Sequence, residues 1–174
     1  MGTGIKLMIP RLKLTMAKKD KYHEKPRLAE SLATQITQEL DLKNDAPFLR
    51  GNVSIFVFSK RYDFGEYGRM VEKRNFPRSS KAQWQLAPED ATSAILLPRN
   101  QSPADIQATL AQQLAALHVA GMARDVPRWF ADGVSWSVTE QLLPKSGKIQ
   151  TLASEAQAAM AGMNRLDDFA NQRV

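Results

Sequence analysis

Leu110-Ala111-Gln112-Gln113-Leu114-Ala115-Ala116-Leu117, followed after ten residues by Arg128-Trp129-Phe130-Ala131-Asp132-Gly133-Val134, is the stretch on which the reading of this chain turns. Leu110, Leu114 and Leu117 recur at spacings of four and three, which places them on one face of a helix that has a core to cover. Pro127 suits the start of a second helix, because its fixed φ is helical and its missing N–H would have had no partner there. Gly133 falls inside that second helix, where it costs about 1 kcal/mol relative to Ala. Such a residue asks for a reason, and a close approach of another helix is the expected one.

The same periodicities divide the rest of the chain. Residues 5–16 alternate apolar with basic or polar residues around Leu12, Leu14 and Met16, with Pro10 as a break, and predict an edge strand. From Pro26, Leu28, Leu32, Ile36 and Leu40 repeat at helical spacing up to about residue 42. Residues 52–59 are β-branched and aromatic nearly throughout and predict a short strand buried on both faces. Tyr62 to Lys73 reads as a short helix with Phe64, Tyr67 and Met70 or Val71 inward, although Gly65 and Gly68 weaken it. Phe76 to Pro88 reads as loop, and Thr92 to Pro98 as a further strand. Ser102 is placed to cap a helix that starts at Pro103, carries Asp105 in its first turn and ends near Gly121. The second helix spans 127–143, and a C-terminal helix spans 149–163. The order predicts an α+β fold, a small mixed sheet with packed helices, in one domain covering 1–174.

The paired motifs resemble those of the gluzincin-like peptidase MA superfamily, whose frame reads L-A-H-E-L-A-H-L on one helix and P-x-W-L-A-E-G-L-A on the next. Ile55-Phe56-Val57-Phe58, Arg61-Tyr62-Asp63-Phe64 and Ile95-Leu96-Leu97-Pro98 stand where that family carries its preceding strands and turn, so the likeness spans roughly 50–143. It implies a zincin-like lobe with two motif helices, preceded by the strand and helix of 5–42. It also implies a chain that is part of a larger protein, since such units continue past the second motif helix.

Every chemical position of the frame departs. His, Glu, His and Glu are here Gln112, Gln113, Ala116 and Asp132. A zinc hydrolase needs about three protein ligands, an open position for water and a carboxylate to take that water's proton. Ala116 has no donor atom, Gln112 offers a neutral amide oxygen poorly matched to zinc, and Gln113 accepts no proton near neutral pH. Asp132 alone keeps an acid, one methylene short. His118 lies two residues past Ala116, about 200° around the helix, and does not replace the missing ligand; a half-buried or capping role is expected of it. His23 sits in a charged stretch and reads as solvated. The expectation is therefore no catalytic residue, no metal and no cofactor.

What the frame leaves is a cleft between the two helices, for which Gln112, Gln113, Trp129, Asp132 and Trp136 are the candidate lining. Against this stands the ordinary reading of Trp84, Trp129 and Trp136 as core aromatics. The expected partner is a protein or peptide. A second class of function rests on charge: net charge is +6, and the basic excess falls in 1–50, with ten Lys/Arg against six Asp/Glu, and 51–100, with eight against five, while 101–174 has six against seven. Arg69, Lys73, Arg74, Arg78 and Lys81 form a cluster that could meet nucleic acid or an anionic surface, or be an ordinary solvated helix face and loop. A metal-dependent hydrolase with an unusual site is the third alternative. There is no cysteine, hence no disulfide or thiolate site. No run of about 18 apolar residues is present, and the first residues lack the pattern of a signal peptide. The sequence assigns no compartment and no oligomeric state.

Overall fold

The computed structural model describes residues 12–16 (backbone only), 25–40, 52–87, 90–97 and 101–161. The strand residues before Leu12, His23 and the end of the C-terminal helix fall outside these residues. The elements are β1 (Leu12–Met16), α1 (Lys25–Glu39), β2 (Asn52–Phe58), α2 (Arg61–Met70), β3 (Ala82–Leu86), β4 (Asp90–Leu96), α3 (Pro103–Met122), α4 (Arg128–Leu142) and α5 (Gly147–Ala161). The fold is α+β, as the element order predicts.

The four strands form one sheet in the order β1-β2-β4-β3. β1 and β4 both run parallel to β2, and β3 runs antiparallel to β4, so the sheet is mixed. β2 is central and β1 lies at an edge, as their compositions require. β3 corrects the sequence reading of 76–88 as loop. Its Ala82, Trp84 and Leu86 point to one face while Gln83 and Gln85 point to the other, a period-2 pattern carried by only five residues, none of them β-branched.

The alternation along the strands separates two cores. Val53, Ile55, Val57, Trp84, Ala91, Ile95 and Leu97 face α1, α3 and α4 in the larger one. Phe58, Ala94 and Leu96 face Phe64 and Tyr67 of α2 in the smaller, with Phe56 and Phe76 against it. Met70 and Val71 are exposed, so the inward face of α2 ends at Tyr67 and Gly68, contrary to the expectation. Gly68 is where the chain turns back: a Cβ there would stand 3.0 Å from both the Arg74 carbonyl oxygen and the Phe76 ring. Arg61 fixes the following loop by donating to the carbonyls of Pro77, Arg78 and Ser80.

α3 is the axis of the molecule. Thirteen consecutive residues, Ala108 to Ala120, are buried, because α1, α4, α5, β3 and β4 all pack on it. Its start is as expected, with Ser102 Oγ accepting from the Asp105 N–H at 3.1 Å. Its end is not: the helix runs through Gly121 to Met122 and its cap is Ala123.

Candidate functional site

The two motif stretches pack against each other as α3 and α4, and the polar residues between them form one hydrogen-bonded series. Ser93 on β4 donates its hydroxyl to Gln113 Oε1 at 3.1 Å. Gln113 Nε2 donates to Gln112 Oε1, and Gln112 Nε2 donates to Ser135 Oγ at 3.1 Å. Ser135 Oγ in turn donates to the Asp132 carbonyl oxygen at 2.7 Å. Every donor points the same way, from sheet through α3 to α4. Gln112 and Gln113 are 5% and 4% exposed and Ser93 and Ser135 are 0% exposed, so each amide sits where an unpaired polar group would be costly and finds a partner instead. No member of the series titrates near neutral pH. Sequence reasoning does not single out Ser93 and Ser135; a serine alternating with apolar residues on a buried strand, and one on the inward face of α4, are the available signals.

Ala116 is 0% exposed and packed in the main core. His118 is also buried, more fully than the half-buried role expected of it. Asp132 occupies the rim. Its Oδ1 accepts the Trp84 indole N–H at 2.8 Å and its Oδ2 stands 3.6 Å from Arg128 Nε. Arg128 lies over the Trp84 ring, 4.5 Å from guanidinium carbon to centroid, and donates to the Trp84 carbonyl and to Gln83 Oε1. Desolvation against this ring lowers the Arg128 pKa, with the Asp132 charge opposing. Arg74 donates to the same Trp84 carbonyl, so two guanidinium groups meet the outer edge of β3 at one oxygen.

The structure therefore brings Gln112, Gln113 and the Asp132 backbone together and separates them from the two tryptophans expected beside them. Trp129 is 76% exposed and makes an edge-on contact with Phe130, ring centroids 5.9 Å apart. This corrects the core reading for Trp129, while Trp84 does lie in the core. Trp136 is half-buried beside α5, where the Lys148 ammonium stands 5.1 Å from its ring centroid. Gly133 is exposed and a Cβ there would meet nothing within 4 Å, so no helix among the described residues supplies the close approach expected of it.

Lys148 carries no signal in the sequence that marks it, yet its surroundings are unusual. Its Nζ donates to Thr109 Oγ1 at 3.0 Å, and burial, with Lys81 nearby, pushes its pKa down to about 8. Asp105 anchors the same corner. Its carboxylate accepts from Ser102 Oγ, Ser146 Oγ and the Lys148 backbone N–H, and these bonds, Ser102's first, hold its pKa below the usual carboxylate value. In the basic cluster, Arg69 is paired with Glu66, and Arg74 with the nearly buried Glu72, which leaves Lys73, Arg78 and Lys81 without an ion pair among the described residues. Among the described residues, no group of three or more His, Asp or Glu side chains is arranged to hold a metal ion, and no helix is long and apolar enough to cross a membrane. Comparison with protein-family models, with characterised proteins and with solved structures gives no match.

Proposed function

We propose that this chain is a non-catalytic, metallopeptidase-like domain whose role is binding or assembly. One observation carries the reading: the positions where the resembled frame holds two metal ligands and a general base are occupied by a closed, neutral hydrogen-bond series and a fully packed alanine. Buried His and Glu without a metal would cost desolvation of their charged forms. Amide to amide, hydroxyl to carbonyl, the series ties β4, α3 and α4 together with no ion. Ala116 leaves no space for a ligand side chain, and enlarging such a site typically costs about 1–3 kcal/mol through overpacking.

Elemental analysis of the purified chain, with hydrolysis of a mixed peptide library as the second readout, tests this. The expected result is no stoichiometric zinc and no cleavage. One equivalent of zinc that is lost on substituting Asp132 or His118 would overturn it.

A further inference from the structure

We propose that two copies of this chain associate through the outer face of α4, antiparallel about Gly133, with Trp129 of each copy seated in the apolar recess between α4 and α5 of the other. The proposal deepens the assembly half of the preceding reading and rests on geometry that the metal question does not touch.

The outer face is defined by what α4 buries. Ala131, Ser135, Val138 and Thr139 point into the molecule. At 100° per residue, Gly133 is then the outermost position, and Trp129, Phe130, Trp136, Ser137 and Glu140 all fall within about 60° of it. This face holds an anchor and a receptacle. The anchor is Trp129, 76% exposed, with Phe130 beside it at 46%. The receptacle is a recess of about 340 Å³ lined by Trp136, Ser137, Glu140, Ile149, Leu152, Ala153 and Ala156. That volume is near the lower end of the range for small-molecule pockets, roughly 300–1,000 Å³, and suits one indole better than an extended ligand.

Their placement is self-complementary. Trp129 lies four residues before Gly133, and Trp136 and Ser137 lie three and four residues after it, about 5–6 Å along the axis on either side. A two-fold axis opposite Gly133 therefore sets Trp129 against the partner copy's recess and Phe130 against the partner copy's Ser137, and does so twice. A glycine at the crossing lets two backbones approach, which supplies a reason for Gly133 that the described residues of one copy do not. Charge is compatible: neither Glu140, on the recess rim, nor Arg124, in the turn between α3 and α4, has an ion pair among the described residues, so each copy offers the other one charge of either sign. A closed two-fold contact of this kind uses one patch twice and ends at a dimer.

Sedimentation equilibrium of the 174-residue chain over a range of concentrations tests it. The expected result is a mass that rises to twice the monomer's. Gly133→Leu and Trp129→Ala should both hold the chain at monomer mass with an unchanged circular dichroism spectrum. Gly133→Leu is the sharper variant, because a side chain there has open space within the chain and should not hinder folding. Tyr62→Ala, which removes a comparably exposed aromatic from α2, should leave the dimer intact. A wild-type chain that stays monomeric, or a dimer indifferent to Gly133→Leu, overturns the proposal and leaves the face to another occupant. Zinc content is read separately, so the two readings fail separately.

Discussion

The Trp84 indole N–H donates to the Asp132 carboxylate at 2.8 Å, across 48 residues of sequence, and so ties the edge strand β3 to the first turns of α4. The acid that the resembled frame would use at a metal is here an acceptor for a buried tryptophan. Asp132→Asn keeps a carbonyl oxygen for the indole and loses only the 3.6 Å pairing with Arg128, whose partners are 43% and 37% exposed; such a pair is worth about 0–1 kcal/mol. Asp132→Ala leaves the indole donor without its partner, at a cost of about 1–3 kcal/mol, toward the lower end because water reaches the rim. Urea unfolding should rank the variants in that order. Equal losses would show that the charge, not the acceptor, matters.

The series from Ser93 to Asp132 predicts non-additivity. Gln113→Leu removes the acceptor of the buried Ser93 hydroxyl and the donor to Gln112, and should destabilise by about 1–3 kcal/mol. Adding Ser93→Ala removes one of the two stranded groups, so the double variant should be less destabilised than the sum of the single variants. A double-mutant cycle on unfolding free energies reads this directly. Strict additivity would mean that the two side chains do not interact.

The two glycines of α2 should respond in opposite senses. A Cβ at Gly65 would have nothing within 4 Å, so Gly65→Ala should stabilise by up to about 1 kcal/mol through helix propensity. Gly68→Ala would drive a methyl onto the Arg74 carbonyl and the Phe76 ring, and should destabilise despite the same propensity gain. Thermal melts of the two variants give the sign in each case.

Lys148 predicts a pH dependence. Its pKa in the fold is about 8 against an ordinary 10.5, so between these values the unfolded chain binds more protons than the folded one. Stability from this group therefore rises with pH across that window and is lowest below pH 8. Tyr67 acts oppositely but later. Burial raises its pKa from 10.0 to about 12, so its contribution is lost as pH rises from about 10 to about 12. The melting temperature should rise from about pH 8 toward 10.5 on account of Lys148, and Lys148→Met should flatten that limb. An unchanged pH profile in Lys148→Met would assign the rise to other groups.

The helices at 103 and 127, the cap at Ser102 and the buried central strand are all legible in local patterns, because capping, proline geometry and apolar periodicity act within a few residues. β3 is not, because the alternation in Ala82-Gln83-Trp84-Gln85-Leu86 is carried by only three apolar residues and none is β-branched. The inward set of α2 departs from its periodicity at Met70 and Val71, because the buried face of the helix stops where Gly68 admits the returning chain.

The sequence by itself determined which atoms Gln112, Gln113, Ala116 and Asp132 carry: two neutral amides, a methyl group and a carboxylate. What those residues do with them was decided by tertiary structure alone. Ser93 and Ser135 lie far apart in the chain, and only the packing of β4, α3 and α4 brings both hydroxyls within 3.1 Å of the two amides. The same holds for Trp129 and Gly133: the sequence marks them as unusual, but exposure is a property of what the rest of the chain leaves uncovered.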